Sequence, residues 1–277
     1  MFGPHDGRRV DVHPYRRMMT FLLRGRNESA VYFEHRVDVS RAQPWLAQRQ
    51  AKLFHLILYA LASVLHERER INRFTIGHRT YQRTGVFLSF AAKKAMSDDA
   101  PLATIKRRFE PGESFDALVA SLTGDVAEAK AAKVSAMDKE LKILLALPSF
   151  LLAFLIGLMK RLYRWGLAPR SLVDTDPMYT SAFVANLGSI GLDAAYHHLF
   201  EHGNCPLFMT IGKVENNMVT LRFTYDERVE DGLYAAKTLQ LLSERIANPA
   251  GWIATPSRPP HPSAQGAPPP TRDPLSA

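Results

Sequence analysis

The chain reads as an α+β domain, a mixed sheet packed with helices. Three observations carry that reading. Runs rich in β-branched and aromatic residues occur early, at residues 30–39, and late, at 207–212 and 219–225. Two long segments, Trp45 to about Arg70 and Asp231 to Ala247, carry apolar residues at helical spacing. Strands and helices do not alternate as regular βαβ units, and no internal repeat is present.

Taken in order, residues 1–14 read as a flexible polar arm. Ala30 to Val39 predicts the first long strand. The helix that follows shows its core face in Leu53, Leu56, Ile57, Ala60, Leu61, Val64 and Leu65. Phe74 to Lys94 alternates around a turn near Arg83-Thr84-Gly85 and predicts a pair of strands. Ala103 to Phe109 predicts another strand. Ser114 then caps a helix with Ala117, Leu118 and Leu122 on its apolar stripe. Asn216-Asn217 predicts the turn between the last two strands. A helix after Gly191 is expected to carry His197, His198 and His202. Residues 250–277 form a Pro-rich tail with too little apolar surface to fold, so disorder is expected there.

Composition sets bounds. A length of 277 residues suits one domain, here 15–249, with tails. The single cysteine, Cys205, excludes an internal disulfide and fits a reducing compartment. Residues 1–26 carry arginines and no apolar core segment, so no signal peptide is expected and the chain reads as cytoplasmic. The net charge of +8 comes without zinc-finger spacing, an RNA-binding signature or a helix-turn-helix pattern, so no nucleic-acid partner is expected. A basic surface also suits an anionic membrane, a phosphate-rich ligand, or plain solubility.

The apolar run from Ile143 to Met159, broken by Pro148 and followed by Lys160, Arg161, Tyr163, Arg164 and Trp165, is the centre of a helical insertion at about 139–172. It falls short of the roughly 20 residues of a spanning helix. Three readings stand: peripheral membrane contact through 143–166, on the inner face of the membrane; a pocket for a long acyl chain; or a buried helix pair at an oligomer contact.

The densest chemical signal is Tyr225-Asp226-Glu227-Arg228-Val229-Glu230-Asp231-Gly232, after a strand and opening a helix. With it go Arg16-Arg17 before the first strand, Ile71-Asn72 after the long helix, and Ala185-Asn186-Leu187-Gly188-Ser189-Ile190-Gly191. In this order the pieces resemble the catalytic domain of the 2-oxoacid dehydrogenase acyltransferases (dihydrolipoamide acyltransferases), over roughly residues 16–249, as a standalone, divergent member. The resemblance implies a chloramphenicol acetyltransferase-like two-layer mixed sheet. It implies acyl transfer from a coenzyme A thioester as cosubstrate, and an active site between subunits of a homotrimer. It implies no metal and no tightly bound cofactor.

In that family a histidine is the general base, a serine or threonine hydroxyl stabilises the oxyanion, and the aspartate of Asp-Gly pairs with an N-terminal arginine. Asp231 and Gly232 match, with Arg16 or Arg17 as the partner. Glu227 stands in place of the histidine and Ala185 in place of the hydroxyl. Histidine titrates near neutral pH and an ordinary glutamate about two units lower, so a carboxylate here acts as base only in dry surroundings. Losing an oxyanion donor costs roughly 100- to 1000-fold in rate elsewhere; Asn186 or Ser189 is the candidate substitute.

Lys93, Lys94 and Lys106 to Arg108 are candidate phosphate contacts for coenzyme A. His198 and His202, four apart, permit a metal site on a shared helix face, although surface or partly buried histidines are the plainer reading; His35, His78 and Cys205 read as residues without chemistry. Two functions remain open: acyl transfer to a hydrophobic or lipid-linked acceptor with Glu227 as base, or a catalytically inactive relative serving as a scaffold or binding module.

Overall fold

The computed structural model describes residues 4–93, 102–131 and 145–253. Lys94, the start of the insertion and most of the Pro-rich tail lie outside them. Nine strands and seven helices follow in chain order among the described residues: β1 (Gly7–Arg9), α1 (Pro14–Leu22), β2 (Ala30–Asp38), α2 (Ala42–Ala47), α3 (Leu53–Glu67), β3 (Arg73–Ile76), β4 (Arg79–Arg83), β5 (Val86–Lys93), β6 (Leu102–Phe109), α4 (Phe115–Ala131), α5 (Ser149–Trp165), α6 (Arg170–Thr175), β7 (Ala182–Asn186), β8 (Leu207–Glu215), β9 (Met218–Asp226) and α7 (Gly232–Ala247).

Six strands form one mixed sheet in the order β2-β9-β8-β7-β5-β6, in which β7 runs parallel to both neighbours and every other pair is antiparallel. Helices α3, α4 and α7 cover one face. The α3 sequence explains why: eight of its fifteen residues are buried, from Leu56 to Leu65, which makes it a helix enclosed on most sides. The β8–β9 hairpin turns on Asn216 and Asn217, whose φ values of 51° and 60° are both left-handed, as a tight two-residue hairpin requires.

Four expectations are corrected. The long helix from Trp45 is two helices, because Gln50 adopts a φ of 52° in the polar stretch between α2 and α3. The alternation across 74–94 is three strands in two sheets. β4 pairs with β3 through a turn at Gly77 and His78, while β5 departs to the large sheet. Part of the supposed arm is ordered: Gly7–Arg9 pairs with Tyr81–Arg83 and extends the small sheet to β1-β4-β3.

The fourth concerns the histidines. Residues 192–200 run as an irregular strap across the sheet instead of a helix. Side-chain donors from the sheet hold the strap's carbonyls, Thr210 on Ala195 and Thr224 on His197, both at 2.6 Å. The His197 ring stacks on Phe208 at 3.8 Å. These tertiary bonds displace helical ones, so His198 and His202 share no helix face. Among the described residues no group of three His, Cys, Asp or Glu is placed to hold a metal.

Within the insertion, Pro148 caps α5 and Gly166, at φ +73°, ends it. Its 17 residues span about 25 Å, short of a bilayer's hydrocarbon thickness of about 30 Å. No helix of the described residues is long and apolar enough to cross a membrane. Only Tyr163 of α5 is buried.

Candidate functional site

β9 ends at Asp226, a fully buried carboxylate that organises the turn after it. Arg228 grips it through two bonds, Nε to Oδ1 at 2.9 Å and Nη2 to Oδ2 at 2.8 Å. Ser29 Oγ and the Arg228 amide also donate to Oδ1, at 2.8 and 3.0 Å. A buried ion pair with its lone pairs occupied in this way fixes backbone geometry. Glu230, also buried, lies between Arg70 and Arg73 at 3.3 and 3.5 Å and accepts from the Asp231 amide. The two acidic anchors leave Glu227 at the apex of a rigid turn.

Glu227 extends the ladder by one bond, its amide donating to the Ser29 carbonyl at 2.9 Å. Its own carbonyl accepts from Arg16 Nη1 at 2.6 Å. Nη2 of the same guanidinium lies 4.0 Å from Asp231 Oδ2. The geometry therefore selects Arg16 over Arg17: Arg17 is exposed and lines a different cleft. Asp231 is the N-cap of α7, accepting from the Tyr234 amide at 2.8 Å. That bond, aided by the Arg16 charge, lowers its carboxyl pKa. The Glu227 side chain is half-buried, and among the described residues no donor bonds its carboxylate.

Tyr225 is the functional candidate that sequence reasoning missed. Its hydroxyl is buried without a hydrogen-bond partner among the described residues. Burial pushes its pKa up to about 12, and the nearby Glu227 charge adds to the rise while Arg16 opposes it. A strand tyrosine carries no local signal that its hydroxyl will end beside a carboxylate.

Asn186 and Ser189 sit elsewhere. The register places Asn186 level with Ile211 and Leu221, six residues before Glu227, so the two ends are roughly 20 Å apart along the strands. Both polar side chains close their own turn: Asn186 Oδ1 accepts from the Ser189 amide at 3.2 Å, and Ser189 Oγ donates to the Asn186 carbonyl at 2.7 Å. Gly188 lies so close to β8 that a Cβ would strike the Gly212 carbonyl. One chain alone does not bring the oxyanion candidates to Glu227. Five surface clefts of about 160 to 440 Å³ lie among the described residues, and Glu227, Asp231, Asn186 and Ser189 line none of these five.

The proposed phosphate contacts are mostly occupied. Lys106 Nζ donates to the carbonyls of Val173 and Asp176 at 2.8 and 3.3 Å, under α6. Burial, then the Arg83 charge, lowers its pKa to about 8. Arg107 pairs with Glu113 and Asp125, and Arg108 with Glu110. Lys93 ends β5. Three histidines singled out in the sequence bond to residues distant along the chain, His35 to Ser243 at 3.0 Å, His78 to the Thr20 carbonyl at 2.9 Å and His202 to Asp176 at 2.6 Å. Cys205 is buried, and burial raises its thiol pKa.

The chain matches no protein-family model and no curated protein by sequence. Its architecture does match solved structures. The dihydrolipoamide acetyltransferase of Azotobacter vinelandii superposes with a TM-score of 0.55 at 16% identity, over 87% of this chain and 93% of that one. A chloramphenicol acetyltransferase gives 0.54 at 11% identity, over 87% and 100%. A probable dihydrolipoamide acetyltransferase from Listeria monocytogenes gives 0.51 at 15%, over 86% and 94%. The fold is that of the chloramphenicol acetyltransferase-like acyltransferases, and identities this low speak for the fold alone.

Proposed function

We propose that the protein is an acyl-coenzyme-A-dependent acyltransferase whose general base is Glu227, acting on a hydrophobic or lipid-linked acceptor. The observation that carries this reading is the Arg16 clamp. One guanidinium holds the Glu227 carbonyl and approaches Asp231, so the turn presents a half-buried, unbonded carboxylate at the fold's signature position. Glu227 takes the proton of an acceptor hydroxyl or thiol as that atom attacks the thioester carbonyl. The tetrahedral oxyanion collapses with cleavage of the carbon–sulfur bond, and the departing thiolate recovers the proton to give free coenzyme A. Asp231 and Arg16 act as positioning residues. A homotrimer supplies the missing half of the site, with the Asn186–Ser189 turn of a neighbouring protomer facing Glu227. Coenzyme A is a cosubstrate. The work is cytoplasmic, peripheral to the inner face of the membrane through the apolar side of α5.

One observation favours a second reading, an inactive relative that binds without turnover. Ala185 has no hydroxyl, and the Asn186 and Ser189 side chains are engaged in their own turn. Release of coenzyme A from acyl donors of graded chain length, in the presence of hydrophobic alcohols and thiols, separates the two. Turnover supports the first reading, and silence across all donors and acceptors supports the second. Light scattering behind gel filtration tests the trimer.

A further inference from the structure

The two largest of the five clefts, of about 440 and 380 Å³, adjoin one another and share His78 and Arg79. Arg161, Arg164 and Trp165 of α5 line the first, and Arg9, Arg17 and Phe21 line the second. Asp11 is the only carboxylate in either lining. The ion pairs formed by arginines among the described residues use other arginines throughout. Five guanidiniums from β1, α1, β4 and α5 thus converge with one carboxylate, Asp11, in their lining and no ion pair to any of them among the described residues.

The local packing is specific. Arg164 lies against the Gly77 turn, where a Cβ would come within 2.8 Å of its guanidinium. Arg161 sits over the Trp165 ring at 5.6 Å, and Phe21 stacks on His78 at 3.9 Å. Along α5 an outward stripe leads into this basin: Phe150, Phe154, Leu158, Arg161 and Trp165. Their spacing of four, four, three and four places them within roughly 80° of arc. Phe150 and Phe154 are 77% and 63% exposed, and Trp165 48%. The buried Tyr163 faces the opposite way and bonds Asp6 and Asn204, so the stripe is held outward by a fixed helix.

We infer that this face docks on an anionic lipid surface. Headgroup phosphates occupy the arginine-lined double cleft, and Phe150, Phe154 and Leu158 enter the acyl-chain boundary. Charge complementarity selects the occupant. Guanidiniums pair bidentately with phosphate, a short amphipathic helix lies in the interface plane, and Trp165 and Arg161 suit the headgroup level. The inference deepens the lipid-linked reading of the acceptor and rests on it for the biological role, though not for the binding itself.

The test uses the full chain and flotation with vesicles of phosphatidylcholine alone or mixed with phosphatidylglycerol. Binding is expected only with phosphatidylglycerol and falls steeply with salt. Arg79→Gln/Arg161→Gln/Arg164→Gln should weaken it by about 100-fold, each basic residue near an anionic surface contributing about fivefold. Phe150→Ser/Phe154→Ser should weaken binding while keeping the anionic preference. All five side chains are exposed, so unchanged melting and circular dichroism exclude misfolding. Equal binding to phosphatidylcholine alone, or undiminished binding by the arginine variant, overturns the inference. Displacement by inorganic phosphate beyond that by chloride at the same ionic strength would make the cleft a soluble-anion site and overturns it too. So would a phenylalanine variant that changes oligomeric state and leaves flotation intact, since a second copy then covers the stripe. Coenzyme A release with a soluble acceptor and no vesicles, measured in parallel, shows whether docking and acyl transfer fail separately.

Discussion

Asp6 offers the sharpest stability experiment. Its Oδ2 accepts from Arg83 Nη1 at 3.0 Å and Asn204 Nδ2 at 2.8 Å, and its Oδ1 from the Tyr163 hydroxyl at 2.9 Å. The Arg83 side chain is 0% exposed and Asp6 only 10%. Asp6→Ala leaves a buried guanidinium without its carboxylate, a change that costs about 3–5 kcal/mol. Arg83 Nη2 keeps its bonds to Asn204, at 2.8 and 3.2 Å, which argues for the lower end, about 3 kcal/mol. For a domain of this size that is a fall in Tm of roughly 6–12 °C. Urea unfolding followed by circular dichroism should show a lower midpoint at unchanged slope. Adding Arg83→Met should recover part of the loss, because the stranded charge goes with it. A loss below about 1 kcal/mol would refute the reasoning, and with it the claim that one carboxylate pins β1, β4 and α5 together.

Three further outcomes are expected. Asp231→Ala should cost about 1 kcal/mol as a lost helix cap, while Asp231→Asn, which caps equally well, should cost a few tenths; thermal melts compare them. Because the Asp231 pKa is lowered in the fold, its charge-dependent contribution is present above the ordinary carboxylate range and disappears as pH falls through the folded value, so Asp231→Asn should converge with wild type in acid while Asp231→Ala, which lacks the capping oxygen, stays less stable. Lys106 should titrate near pH 8 by NMR at its ε-carbon. Between about 8 and 10.5 the unfolded chain holds a proton that the folded one has released, so stability rises with pH in that window, and Lys106→Met should flatten the rise. Gly188→Ala should destabilise by about 1–3 kcal/mol, since the turn at 187–190 must lift from the Gly212 carbonyl.

Local chemistry made much of the fold legible. The β-branched runs became β2, β8 and β9, the paired asparagines became their hairpin turn, and Ser114 capped its helix, its hydroxyl accepting from the Ala117 amide, while Asp231, expected as the first helical residue, stands one step earlier as the N-cap. What stayed hidden was every feature set by distant partners. Alternation at 74–94 announces strands and says nothing about which sheet each joins. The strap at 192–200 gives up helix because Thr210 and Thr224 reach its carbonyls from strands that lie beyond it in sequence. Arg16 and Arg17 are neighbours in sequence yet point about 100° apart on α1, and only the docked helix decides which meets Asp231. The arginine basin is assembled from four elements: the arginines of residues 1–26 and those after Met159 were visible in the sequence, and their convergence around Arg79 was not. At the candidate site the motif residues were visible, whereas the separation of Glu227 from Asn186 and Ser189 came from the strand register.

Acyl transfer by this site requires the Glu227 carboxylate to carry a proton during the reaction. Coenzyme A release by wild type, Glu227→Gln and Glu227→His, on the acyl donor and acceptor that wild type uses best, tests it directly. The expected result is turnover by wild type, a loss of at least about 100-fold in Glu227→Gln with unchanged melting, and activity retained by Glu227→His. Equal rates for wild type and Glu227→Gln, or silence from wild type with every donor and acceptor, would contradict it.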